Sequence, residues 1–225
     1  MRQFIVVEGL IGVGKTSLCR AMAEAWDGRL VLEPSETNPF LEPFYAEPER
    51  FSFPVQMYYL VTRWKQQASI RQEDLFKETV ISDYLWEKDR LFAEKTLQPM
   101  ELELYERFAG ALGEKAPTPD LLIFLDAPID VIMARISKRA VPGEERIKAS
   151  YLKDLRERYH RLLKDWTACP VLYIDNEDMD YVSDPRVRET LLAKIQAART
   201  GQIDVKAPGS LVDREAQPSL FGAAK

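Results

Sequence analysis

The sequence predicts an α/β fold in which a parallel sheet is flanked by helices, and three observations carry that expectation. Short, continuously apolar runs rich in β-branched residues recur along the chain, as strands buried on both faces require. Segments with helical spacing fill the intervals between them, the alternation that produces a doubly wound parallel sheet. The first run, Phe4-Ile5-Val6-Val7, passes at once into a glycine loop and then a helix.

Taken in order, the helix after that loop is expected from Lys15 to Trp26, with Leu18, Met22 and Ala25 on one face. Leu30-Val31-Leu32 is a second strand. Pro34, Pro39, Pro43 and Pro48 then confine the chain to short helices, and Pro54 opens a long helix to about Arg71. Thr79-Val80-Ile81-Ser82 is a third strand ending at Asp83, and Leu121-Leu122-Ile123-Phe124-Leu125 a fourth ending at Asp126, with helical segments between them. After Pro128 a helix runs to about Lys138, a polar loop follows with Pro142 and Gly143, and another helix starts near Tyr151. Val171-Leu172-Tyr173-Ile174 is the last strand. From about Gly201 the chain is rich in Ala, Pro, Gly and Ser without periodicity, which divides it into a folded domain over 1–200 and a flexible tail over 201–225.

A length of 225 residues suits one buried core. With 46% apolar and 30% charged residues the composition is that of a soluble globular protein, and no apolar run nears the ~20 residues of a membrane span. Met1-Arg2-Gln3 is not followed by a small-residue cleavage site, so a cytoplasmic location is expected. Cys19, Cys169 and the single His160 lack metal-like spacing, which excludes a zinc cluster within one chain; Cys19 belongs to helix packing and His160 to a solvated helix face. A net charge of -5 opposes a nucleic-acid polymer as partner, whereas a small anion needs only a local positive pocket.

Gly9-Leu10-Ile11-Gly12-Val13-Gly14-Lys15-Thr16 satisfies G-x-x-x-x-G-K-[ST] between a strand and a helix, the context this phosphate loop needs. Its glycines let backbone N–H groups point inward, and the helix N-terminus adds positive potential. Lys15 is placed to reach the β and γ phosphates and Thr16 to ligate Mg²⁺, with Gly9, Gly12, Val13, Gly14 and Ser17 completing the triphosphate site. The loop alone specifies a nucleoside triphosphate, since switch proteins, ATPases and kinases all use it.

Two strand-end carboxylates compete for the catalytic post. Asp126 could hold Mg²⁺ as in an ATPase, but Ala127-Pro128 supplies no glutamate to activate water, and the polar end of a buried strand explains it as well. Asp83 would face the crevice at the strand C-termini, where open α/β sheets bind ligands; its plain alternative is an N-cap for the next helix.

Several further stretches resemble the bacterial deoxynucleoside kinases. They are Leu32-Glu33-Pro34; Asn38-Pro39-Phe40-Leu41 with Phe44-Tyr45; Phe53-Pro54-Val55-Gln56 with Arg63; Asp83 with Asp89-Arg90-Leu91-Phe92-Ala93; and Arg135-Ile136 with Arg139 and Glu144. Together with Gly9 to Thr16 they run in order from about residue 1 to 182. The resemblance implies a P-loop kinase fold with a short helical lid, ATP and Mg²⁺, a deoxyadenosine, deoxyguanosine or deoxycytidine substrate, and a homodimer. Glu33 or Asp83 must deal with the nucleoside 5′-hydroxyl, and the resemblance makes Asp83 the group that accepts its proton or helps hold Mg²⁺. It also implies Gln56 on the base edge framed by Arg63 and Asp89, Phe92 stacked on the base, and Tyr45 with Glu144 on the sugar 3′-hydroxyl. Without the resemblance, Arg63 would read as a solvated face and Tyr45 or Phe92 as core. Arg135 and Arg139 read as lid guanidiniums for the transferring phosphoryl, with surface ion pairs as the alternative. The stretch Asp175 to Asp180, with Asp178, is similar to the adenine-side loop, where Met179 or Tyr181 would pack on the ATP base.

Two departures bear on rate. Tyr84 follows the catalytic carboxylate where many relatives have arginine, so another basic group must compensate. Ala140-Val141 and Gly143 stand in the lid where relatives often carry a glycine, a second arginine and a bulkier residue. Rival readings are a thymidylate kinase, against which Tyr84 counts, and a nucleotide-binding interaction protein with reduced turnover. In the tail, Gln217-Pro218-Ser219-Leu220-Phe221 resembles the peptide with which bacterial replication proteins dock to the sliding clamp.

Overall fold

A computed structural model of the chain describes residues 3–35, 37–71, 79–113 and 117–202. The expected tail motif Gln217–Phe221 therefore lies outside the described residues.

Strand β1 (Gln3–Gly9) is fully buried from Phe4 onward and lies at the centre of one parallel sheet. Its neighbours are β3 (Thr79–Ser82) on one side and β4 (Leu121–Asp126) on the other, with Ile5 level with both Ile81 and Leu121. The edges are β2 (Arg29–Val31), beside β3, and β5 (Val171–Asp175), beside β4, giving the order β2-β3-β1-β4-β5. Apolar side chains on both faces make the strands sites for helices on both sides. Chain direction from β1 divides between β3 and β4, so a crevice opens at its C-terminal end, where Gly9, Asp83 and Asp126 collect.

Helix α1 (Lys15–Ala25) buries Leu18, Cys19 and Met22 against the sheet. After β2 come α2 (Leu41–Ala46) and the 24-residue α3 (Pro48–Arg71). Between β3 and β4 lie α4 (Lys88–Thr96) and α5 (Pro99–Gly113), and Leu60, Ala93 and Tyr105 form a small second core where α3, α4 and α5 meet. Helix α6 (Ile129–Arg139), a 3-10 turn (Glu144–Arg146) and α7 (Ala149–Lys164) follow β4, and α8 (Pro185–Arg199) follows β5. No helix among the described residues is long and apolar enough to cross a membrane.

The expected fold class holds, with local corrections. Leu32 is outside β2: its carbonyl accepts from Gln66 Nε2 at 2.8 Å as the chain turns across the end of β3. Helix α3 begins at Pro48 instead of Pro54, because a proline at the first helical position surrenders an N–H that has no partner anyway, and Pro54 lies within the helix. Helix α8 was not anticipated. Its start is marked by Asp184, whose carboxylate accepts from Arg186 N at 2.8 Å, followed by Pro185.

Candidate active site

The phosphate loop is shaped by residues that only glycine can replace. Gly9 has φ 147° and an added Cβ would strike the Leu125 carbonyl oxygen, while Gly14, at φ 109°, would collide with the Tyr181 hydroxyl. Beneath the loop, Asn176 Nδ2 donates to Val13 O at 2.5 Å and Tyr181 Oη to Gly14 O at 2.9 Å. Tyr181 is thus buried as a brace under the loop. The buried carboxylate of Glu8 accepts from Gly9 N (3.0 Å), Leu85 N (2.8 Å) and the Tyr159 hydroxyl (2.9 Å), tying β1 to α7 and to the β3–α4 connection. Lys15 Nζ lies over the loop, 2.9 Å from Gly9 O and 3.0 Å from Leu10 O. Burial, then the neighbouring Lys88 charge, lower its amine below the ordinary value. Val13 is part of the core and Ser17 is exposed on the first turn of α1, so Val13 can meet a phosphate only through its backbone.

Asp83, directly after β3 and 4% exposed, accepts from Thr16 Oγ1 at 2.6 Å through one oxygen and from Glu33 N at 2.7 Å through the other. Those bonds replace the N-cap alternative: α4 starts five residues later, at Lys88. Asp126 belongs to the structure instead. It pairs with Arg156 and accepts from Ala127 N at 2.9 Å; burial favours its neutral form, but hydrogen bonds from His160 and Arg156 hold its carboxyl below the ordinary range.

Across the crevice, Glu33, Arg63 and Asp89 form a buried chain. The guanidinium of Arg63 bonds Glu33 through one nitrogen and Asp89 through another, and Asp89 also accepts from Tyr105 Oη at 3.0 Å. Lys88 Nζ reaches the second Glu33 oxygen at 3.0 Å. Burial alone would raise the Glu33 carboxyl, but Lys88 and Arg63 overcome it and bring the group down to about 2. One α-helical face aligns Gln56 with Arg63, seven residues on, and both are buried. Gln56 Nε2 donates to Thr96 Oγ1 at 3.2 Å, while its Oε1 is buried with no hydrogen-bond partner among the described residues. Phe92, half-buried on α4, has Lys88 Nζ 5.4 Å from its ring centroid.

Tyr45 and Glu144 also meet: a Cβ on Gly143 would come 2.9 Å from Tyr45 Cδ2, and burial followed by the Glu144 charge raises the Tyr45 hydroxyl. The arginine pair of α6 divides. Arg139 is ion-paired to Glu144 at 2.6 Å with its side chain 46% exposed, whereas Arg135 Nη2 donates to Asn176 O (2.7 Å) and Glu177 O (3.2 Å), beside the exposed bend at Asp178. Arg135 is therefore engaged on the stretch after β5, while Arg139 is held in the lid by Glu144. Tyr84 does not occupy a phosphate-facing position: it is fully buried, its ring 5.6 Å from the Arg63 guanidinium and its hydroxyl 3.4 Å from Gln67 Nε2. The basic group on that side is Lys88, which the sequence reading passed over, as it did Glu8, Thr96, Tyr105 and Asn176. A lysine one position before Asp89 reads as solvated helix surface, and only the packing of α4 on α3 buries it.

A family model for deoxynucleoside kinases matches residues 5–198. Among curated proteins, the deoxyguanosine kinase of Bacillus subtilis (strain 168) is 33% identical over 198 residues, covering 86% of this chain and 96% of the relative. The deoxyadenosine/deoxycytidine kinase of the same organism is 30% identical over 202 residues, covering 85% and 90%. Among solved structures, deoxyadenosine kinase from M. mycoides with bound dATP superposes with a TM-score of 0.72 at 22% identity, covering 86% of this chain and 99% of that one.

Proposed function

The chain belongs to the deoxynucleoside kinase family, and from that membership we propose that it transfers the γ-phosphoryl group of ATP to the 5′-hydroxyl of deoxyadenosine, deoxyguanosine or deoxycytidine. One observation carries this reading. A phosphate loop with Lys15, and a buried chain of Glu33, Arg63 and Asp89 with Gln56 and Phe92, meet at the same crevice. The first suits a triphosphate and the second a small uncharged molecule with hydrogen-bonding edges.

The residues assign themselves by position. The Thr16 hydroxyl and Asp83 carboxylate, 2.6 Å apart, are hard oxygen donors beside the loop and fit Mg²⁺. The metal would neutralise charge on the β and γ phosphates. Asp83 is bonded to Thr16 of the loop, whereas the Glu33 carboxylate belongs to the Arg63–Asp89 chain on the nucleoside side, and we assign it the 5′-hydroxyl. A carboxyl held near 2 is a weak base, but the transition state of phosphoryl transfer is loose and asks chiefly for an ionised group in place to orient the hydroxyl and take its proton late. Gln56 Oε1 and its remaining N–H would complete their bonds on an exocyclic amino group and ring nitrogen, with the rotated amide serving guanine. Phe92 would stack on the base and Tyr45 with Glu144 hold the 3′-hydroxyl. Arg139 would turn from Glu144 to the phosphates, and Arg135 with the Asp178 bend would flank the adenine of ATP.

Exposed apolar residues on adjacent helices, Val61 and Trp64 of α3 and Met100, Leu104 and Phe108 of α5, support a homodimer through this face. The free thiols of Cys19 and Cys169 fit a cytoplasmic setting.

The test offers the full chain γ-labelled ATP and Mg²⁺ with a panel of deoxynucleosides and their 5′-monophosphates. Labelled monophosphate from at least one of the three named nucleosides is expected. Label appearing only on thymidylate, or on no acceptor, defeats the proposal.

A further inference from the structure

Among the described residues, Lys88 is a cation at this crevice whose work the reaction scheme has not used. Its side chain is 5% exposed, and a buried ammonium is costly unless it is paired, as Lys88 is with Glu33. It projects from the first residue of α4, crosses the Phe92 ring and ends on Glu33 Oε2, while Arg63 holds Glu33 Oε1 from α3. Two cations from two different helices thus fix the carboxylate from both sides. They do not have equal duties. Arg63 is shared with Asp89, which is itself anchored by Tyr105, so its place in the cluster does not depend on Glu33. The Lys88 ammonium has Glu33 as its ion-pair partner among the described residues. Glu33 lies on an irregular segment after β2, with no helix or strand of its own to set its side chain. Removal of Lys88 would leave Oε2 unheld and the carboxylate free to pivot about its bond to Arg63.

We propose that Lys88 is a positioning residue that holds the Glu33 carboxylate in register with the incoming 5′-hydroxyl, so that the base-stacking helix α4 and the proton acceptor are set by one side chain. The role rests on the assignment of the 5′-hydroxyl to Glu33.

The test compares the wild-type chain with Lys88→Met, Lys88→Gln and Lys88→Arg. Turnover is measured with both substrates varied, and the Glu33 carboxyl resonance is recorded by carbon NMR at neutral pH, with Glu33→Gln used to identify it. Lys88→Met should lower kcat about 100-fold, the scale of an ångström-level misplacement, while KM for ATP stays within about twofold. Its Glu33 carboxyl resonance should shift and broaden relative to the wild type as the carboxylate pivots, and Lys88→Arg should restore both the rate and the resonance. Lys88→Gln, which keeps a hydrogen-bond donor without the charge, serves by the same readouts if the methionine variant does not fold. A rate within about twofold of wild type in Lys88→Met or Lys88→Gln, or an unmoved Glu33 carboxyl resonance, overturns the inference. The NMR arm needs no turnover, so a wild-type chain that phosphorylates nothing would count against the kinase reading alone.

Discussion

A buried acceptor without a donor, such as Gln56 Oε1, costs free energy until something completes it. If that partner is the nucleoside base, Gln56→Leu should lower kcat/KM for the nucleoside by about 10- to 100-fold, the equivalent of one or two lost buried hydrogen bonds. KM for ATP should not change, and steady-state kinetics with each substrate varied would separate the two. Glu33 makes a pH prediction whose sign follows from the direction of its shift. Its carboxyl falls from an ordinary 4.5 to about 2 on folding, so the ionised form stabilises the native state. That contribution is complete above about 4.5 and is lost as pH falls through about 2. Thermal melts between pH 6 and 2.5 should therefore fall more steeply for the wild type than for Glu33→Gln. At this scale the sequence was legible where a residue stood in a recognisable order, as for Gln56, Arg63 and Asp89. It was silent on Lys88 and Glu8, because a charged residue's burial is decided by elements that pack against it from far along the chain.

Among elements, the lid shows what a local departure does physically. Ala140 closes α6 at φ 51°, and Gly143 opens the 3-10 turn at φ 88° against the Tyr45 ring. A bulkier residue at 143 would have to displace Tyr45, so glycine there matches its neighbour. Alanine at 140 is the strained member, since a Cβ in the left-handed region costs about 1 kcal/mol. Ala140→Gly should raise the melting temperature by a few degrees, roughly the shift such an energy gives a domain of this size, as differential scanning calorimetry would record. The strands were legible to within two residues because continuous burial leaves an unbroken apolar run. Helix starts were less so. Pro54 and Pro48 carry the same signal, and the choice between them depends on where α3 can pack; α8 follows a plain Asp-Pro start, but its apolar face emerges only against α1.

For the whole molecule, the sheet order places the phosphate loop at the end of the central strand, between the strand bearing Asp83 and the strand bearing Asp126. Alternating strands and helices made that architecture legible, whereas the chain alone does not tell which strand-end carboxylate faces the loop. Asp83 does, and Asp126 is drawn away by Arg156. The apolar face of α3 and α5 predicts a dimer at micromolar concentration. Phe108→Glu, which puts a charge in that face, should shift the mass seen by size exclusion with light scattering to that of one chain, with nucleoside kinetics testing whether the site survives alone. The most direct test of the central claim is phosphoryl transfer from labelled ATP to the three named deoxynucleosides by the wild-type chain and by Glu33→Gln in parallel, with ATP affinity measured for both. The wild type should yield the labelled 5′-monophosphate, and Glu33→Gln should bind ATP equally while losing about 100-fold or more in kcat. An inert wild type, or a Glu33→Gln variant as fast as the wild type, would contradict it.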